Sequence, residues 1–192
     1  LDALKVCKNK GIKVSCDLNY RKKLWTREKA GKVMAELMPY VNVCIANEED
    51  AGDVFGIKAE NTDVEKGVVS HEAYKSVAKQ LKDRFGFDKV AITLRESLSA
   101  NDNRWAAMLY DGENYCFSKK YDLHIVDRVG GGDSFGAGLI YSLLTGKDTQ
   151  NAIDFAVAAS ALKHTIEGDY NMVTVAEVEN LLKSGGSGRV QR

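Results

Sequence analysis

Charge of one sign, paired cysteines and long apolar runs are all missing from this sequence. Lys plus Arg number 27 and Asp plus Glu number 27 among its 192 residues, a net charge of zero. No basic or acidic excess points to nucleic acid or an anionic membrane surface. No apolar run reaches the ~18 residues that a membrane-spanning helix needs. The four cysteines, Cys7, Cys16, Cys44 and Cys116, form no CxxC pair, which argues against zinc and thioredoxin-type chemistry. Cys16 and Cys44 lie in apolar runs and read as buried, reduced thiols, suited to a cytoplasmic setting. The histidines, His71, His124 and His164, are scattered and read as structural.

What is present is an ordinary globular balance, 44% hydrophobic and 28% charged. A chain of this length buries a core without disulfides or a structural metal. A membrane protein, a disordered chain and a disulfide scaffold are all excluded, and one domain is expected. The chain opens at Leu1 in helix-like sequence with no signal-peptide pattern, as expected of a piece of a longer protein.

Apolar spacing over 1–10 predicts the last turns of a helix, stopped by Gly11. Ile12–Asn19 reads as a strand, with Asp17, Asn19 and Arg21 at its C-terminal end. Thr26 caps a second helix, which Pro39 helps to end. Val41–Asn47 is a second strand that runs into the acidic NEED of Asn47, Glu48, Glu49 and Asp50, with a short helix after it. Thr62 with Glu65 has the capping-box pattern. A helix is expected over 70–85, a strand over Lys89–Leu94, and a hairpin about the DGEN turn of 111–114. His124–Asp127 reads as another short strand. An Ala-rich helix covers 148–164, Thr174 with Glu177 opens a last helix, and 184–192 is a polar tail expected to be flexible. Helices alternating with short apolar strands indicate an α/β domain with a mainly parallel sheet.

The sharpest signal is Asp127-Arg128-Val129-Gly130-Gly131-Gly132-Asp133-Ser134-Phe135. Three successive glycines let backbone N–H groups converge, and a helix follows at once with the positive end of its dipole. Together these make an anion hole, best suited to a phosphate. The stretch is not a Walker A loop: at Gly146-Lys147 the first glycine would fall on Tyr141 and the Ser or Thr on Asp148. It is not the GxGxxG fingerprint either, because Phe135 stands where the third glycine belongs. Asp133 would repel a phosphate, so as a ligand it makes no sense. It fits a general base beside the phosphoryl acceptor, or a carboxylate capping the helix, and the residues alone leave both open.

This motif resembles the DTxGAGDxFxxG signature of the ribokinase-like, pfkB-type carbohydrate kinases. Asp127, Gly130, Gly132, Asp133, Phe135 and Gly138 match, while Arg128 and Gly131 replace Thr and Ala. DLNYRKKLW, residues Asp17–Trp25, is similar to the DxNxRxxLW stretch of the 2-keto-3-deoxygluconate kinases in that family. NEED lies where the family has NxxE, and TLRES, Thr93–Ser97, where many members have an ATP loop. The resemblance implies a three-layer ribokinase-like α/β fold in which 1–183 form the C-terminal, ATP-binding portion. The N-terminal part and β lid would be missing. It implies ATP and Mg²⁺ as cofactors and a small-molecule sugar acid as substrate, most simply 2-keto-3-deoxygluconate phosphorylated at its 6-position.

By the same resemblance Asp133 is the catalytic base and Gly130, Gly131 and Gly132 form the anion hole. Arg21 and Asp169 contact the substrate together with Asp133. Asn19, Asn47, Thr93, Arg95, Ser97, Gly130 and Gly132 contact ATP. Asn47 and Asp50 hold the metal through water, with Glu48 or Glu49 able to share that task. Trp25 and Trp105 read as packing residues. No nucleic acid or membrane partner is expected, and the lid of full-length members suggests a homo-oligomer. The alternatives are a kinase of the family with a neutral sugar or nucleoside substrate, and a non-catalytic nucleotide-binding module.

Overall fold

The computed structural model describes residues 1–58 and 71–184. The elements run α1 Asp2–Asn9, β1 Ser15–Asp17, α2 Arg27–Leu37, a 3₁₀ turn Met38–Tyr40, β2 Val43–Asn47, α3 Glu48–Phe55 and α4 His71–Phe85. They continue with β3 Lys89–Ser97, β4 Asp102–Tyr110, β5 Tyr115–Phe117, β6 Tyr121–His124, α5 Gly131–Leu144, α6 Thr149–Lys163 and α7 Val175–Lys183. The six strands form one mixed sheet in the order β1-β2-β3-β4-β5, with β6 also paired to β4. This is the expected α/β architecture, with helices beside a largely parallel sheet. The expected tail and the Thr62–Glu65 capping box lie outside the described residues.

The chain divides into two compact units, Leu1–Thr93 with Met108–Tyr115, and Leu94–Ala107 with Cys116–Arg192. In the first unit β1, β2 and β3 pair in parallel, with Cys16 opposite Cys44 and Asn47 opposite Thr93. Cys44–Ala46 and Val90–Ile92 are unbroken buried runs, as expected of strands covered on both faces. Cys44 is buried as expected, whereas Cys16 is only half-buried. Leu81, Ala78 and Phe87 complete that core at no more than 0% exposure. No residue of α1 is buried, and Val6 is 50% exposed.

In the second unit α5 packs on α6. Gly138 lets the two helices close up, since a Cβ there would lie 3.0 Å from Ala156 Cα and 3.2 Å from Ala159 Cβ, and Phe135, Leu139, Ala152, Ala156 and Ala159 are all buried. Asp148 caps α6 by accepting from the Asn151 N–H at 2.8 Å, and Thr174 and Glu177 form the expected capping box of α7. β6 pairs antiparallel with β4, setting Trp105 opposite Tyr121.

Three boundaries differ from the sequence expectation. β1 is three residues, not eight, because Ile12 and Lys13 find no ladder partner and Asn19 takes a left-handed φ of +39°. β6 lies three residues earlier than expected, over Tyr121–His124, because its register on Asp102–Trp105 selects that run; Ile125 donates instead to the Asn101 carbonyl. β3 runs on through Ser97, where a loop was expected. Glu96 is held there by Lys120 at 2.5 Å and Arg104 at 3.3 Å, which supports a charged strand end.

Candidate functional site

Open α/β sheets bind ligands beyond the carboxyl ends of their parallel strands. In the first unit that edge carries five of the expected residues. Asn19 and Arg21 follow β1, Asn47 and Thr93 face each other in register on β2 and β3, and Asp50 lies in the first turn of α3. The left-handed backbone of Asn19 is one that a short polar side chain tolerates best. Arg21 is exposed, and its guanidinium donates to the Tyr20 carbonyl at 3.3 Å.

The NEED segment starts a helix rather than preceding one. The Asn47 side-chain oxygen accepts from the N–H groups of Glu49 and Asp50, both at 2.8 Å. The Asp50 carboxylate accepts from the Tyr20 N–H at 3.1 Å and the Asn47 N–H at 3.4 Å, closing a capping box. Burial pushes the Asp50 carboxyl above its usual range, opposed by those two amides and by the Arg21 charge. Asn47 and Asp50 thus keep only their remaining lone pairs for a cation, which suits contact through water better than direct ligation. Among the described residues no three His, Cys, Asp or Glu side chains cluster as a metal site.

The second unit holds the glycine loop. Gly130 is the N-cap of α5 at φ +81°, a conformation that costs other residues about 1–2 kcal/mol. A Cβ there would also run into the Asp169 carbonyl oxygen. Asp169, expected near the substrate, is therefore brought directly against the loop through its backbone. Gly131 packs on His164: a Cβ at Gly131 would lie 2.5 Å from the imidazole Cε1.

No side chain caps α5. The Gly131 N–H is used inside the loop, donating to the Arg128 carbonyl at 3.2 Å. That leaves Gly132 and Asp133, the second and third helical positions, to present N–H groups that the helix cannot satisfy itself. Both residues are exposed. An anion fits this cradle, where the helix dipole adds its positive end. Arg95 and Ser97 lie on β3, where the Ser97 hydroxyl donates to the Asn103 side-chain oxygen at 3.1 Å.

Asp127 shapes the loop from below. Its carboxylate accepts from the Val129 N–H and the Gly168 N–H, each at 3.0 Å, tying the start of the loop to the turn that carries Asp169. The Val129 amide bond chiefly, with Gly168 and the Lys163 charge, holds its carboxyl below the usual range. Stability from such a group is complete above the ordinary carboxylate pKa and is lost as pH falls through the depressed one. Asp127→Asn therefore lowers Tm at neutral pH. The gap to wild type closes as pH falls below the ordinary carboxylate range; a gap constant from neutral to strongly acidic pH in thermal melts excludes this role. Gly130→Ala destabilises by about 2 kcal/mol or more, or about 4–8 °C in Tm, checked in the same melts.

Sequence reasoning did not anticipate the residues behind the loop. The Ser160 hydroxyl donates to the Gly131 carbonyl at 2.7 Å, and His164 donates from Nδ1 to the Ser160 carbonyl at 2.7 Å. Burial lowers the His164 pKa, partly offset by that bond, while Lys163, Arg95 and Arg128 push the same way as burial. Trp105 packs on this imidazole, ring centroids 5.1 Å apart, which bears out its reading as a packing residue. Arg128, standing where the motif has Thr, donates to the Ala100 carbonyl. The one available signal was a Lys-His pair, Lys163-His164, closing an otherwise Ala-rich helix.

The profile of the pfkB carbohydrate kinases matches residues 1–175. A 2-dehydro-3-deoxygalactonokinase of Haloferax volcanii is 28% identical over 97% of this chain and 52% of its own length. Among solved structures, the 2-dehydro-3-deoxygluconokinase of Thermotoga maritima aligns at 49% identity with a TM-score of 0.88, over 95% of this chain and 53% of that one. A pfkB-family carbohydrate kinase of Listeria grayi aligns at 30% identity and a TM-score of 0.83, over 95% and 53%. The chain spans about half the length of the relatives it matches.

Proposed function

Since the chain belongs to the pfkB family of carbohydrate kinases, we propose that it carries the ATP-binding portion, residues 1–183, of an enzyme that phosphorylates a sugar acid. The substrate that fits best is 2-keto-3-deoxygluconate, converted to its 6-phosphate. The observation that carries this reading is the junction of the glycine loop with α5. There, unsatisfied N–H groups of Gly132 and Asp133 adjoin a carboxylate in the first helical turn.

In this reading Asp133 takes the proton of the sugar hydroxyl as that oxygen bonds to the terminal phosphorus of ATP and the bridging P–O bond breaks, releasing ADP. The loop amides and the α5 dipole offset the charge that builds on the transferring phosphoryl oxygens. Bound Mg²⁺ supplies further charge neutralisation on the phosphates. Asn47 and Asp50 would face it through water, and Asn19, Thr93, Arg95 and Ser97 would orient the nucleotide. Arg21 forks onto the substrate carboxylate, with Asp169 binding a sugar hydroxyl. The names of the relatives support a keto-deoxy sugar acid as the class.

The test is a coupled ADP-release assay on the protein at its full length with a panel of keto-deoxy sugar acids, neutral sugars and nucleosides. The reading expects the highest kcat/KM on a keto-deoxy sugar acid. A preference for a neutral sugar or nucleoside, or no ADP release with any substrate, excludes it.

A further inference from the structure

Lys163 is fully buried, at 0% exposure, in the last turn of α6. Its ammonium donates to the Ile166 carbonyl at 3.2 Å. Its Cε lies 3.3 Å from where a Cβ of Gly130 would stand, so the stem lines the back of the glycine loop. A lysine is almost never fully buried unless its charge is compensated. Here the Ile166 carbonyl accepts from the ammonium, and the Lys163 charge helps to hold down the carboxyl of Asp127, which grips the Val129 and Gly168 amides. A cation in the last turn also suits the α6 dipole, but that benefit is available to an exposed lysine and does not require burial.

We propose that Lys163 is a positioning residue for phosphoryl transfer: its buried charge, set behind Gly130 and anchored on the Ile166 carbonyl, fixes the loop amides in the geometry that receives the anion. This inference rests on the reading of the glycine loop as the anion hole. Asp127 is only half-buried, and the Lys163 charge favours its ionised form, the one that accepts from both amides. The same charge adds to the positive field of the loop, where low dielectric makes a fixed charge count for more than it would in water.

Two variants test this in the protein at its full length. Lys163→Gln keeps a donor toward the Ile166 carbonyl and removes the charge. Lys163→Met keeps an unbranched apolar stem and is read in the same way should the amide variant fail to fold. Either lowers kcat by about 10–100-fold, while the KM for the sugar acid stays within about two-fold, because the loop amides that the charge positions act on the transferring phosphoryl group. A merely structural lysine lowers Tm without that split. Asp133→Asn is measured beside them. A wild-type kcat in the folded Lys163 variants together with an inactive Asp133→Asn overturns the proposal and leaves the loop reading standing. An active Asp133→Asn overturns the loop reading, and this proposal with it.

Discussion

Asp133→Asn lowers kcat by roughly 10²–10⁴, about 3–5 kcal/mol of transition-state stabilisation, while ATP binding stays within several-fold. The reason lies in what the substitution preserves. Asparagine has the same shape, and the helix it sits in is held by Phe135 and Leu139, both fully buried. Only the ability to accept a proton is lost. If Asp133 merely favoured the α5 dipole, its removal would cost about 0.3–1 kcal/mol of stability and leave kcat near wild type. Steady-state kinetics beside a thermal melt separate the two roles. A variant retaining half the wild-type kcat rules out the base.

Arg21→Ala raises KM for a keto-deoxy sugar acid, with a loss of about 2–4 kcal/mol if the bound carboxylate is paired and desolvated. In the chain itself Arg21 is exposed, and among the described residues its hydrogen bond is to the adjacent Tyr20 carbonyl. Such a bond contributes little to stability, so the side chain is free to turn to a ligand. An analogue with the carboxylate replaced by a neutral group is therefore far less affected. Its charge also helps to keep the buried Asp50 carboxyl from rising further. Equal losses on both substrates place the effect in the fold or the nucleotide, not in the sugar acid.

Local chemistry made much of this legible in advance. The glycine loop, the helix behind it and the Thr174–Glu177 capping box all follow from residues within a few positions of one another. Apolar runs such as Cys44–Ala46 declared their strands because a strand buried on both faces has little room for polar residues. What stayed hidden depends on partners far along the chain. The start of β6 is set by its ladder with β4, and the extension of β3 through Ser97 by ion pairs from Arg104 and Lys120.

The expected site residues divide in the same way. Gly130 and Asp169 come together because the loop and the 165–169 turn share the Asp127 carboxylate, a bond between residues 41 apart in sequence. In NEED, the residue types fit both a phosphate-side motif and a helix start. The structure shows the helix start directly, with Asn47 and Asp50 each bonded to backbone amides. Lys163 and His164 were invisible as partners of the loop because nothing in an Ala-rich helix says which of its ends will be covered.

The most direct measurement is the identity of the phosphorylated product. The protein at its full length is incubated with Mg·ATP and 2-keto-3-deoxygluconate, and the product is examined by phosphorus–proton NMR correlation. Phosphorus coupled to the terminal CH₂ protons of the sugar acid, formed at the rate of ADP release and lost in Asp133→Asn, is the expected result. ATP hydrolysed to free phosphate with no phosphorylated sugar acid, or a product formed equally well by Asp133→Asn, contradicts the assignment of the Gly130–Asp133 loop as the site of phosphoryl transfer.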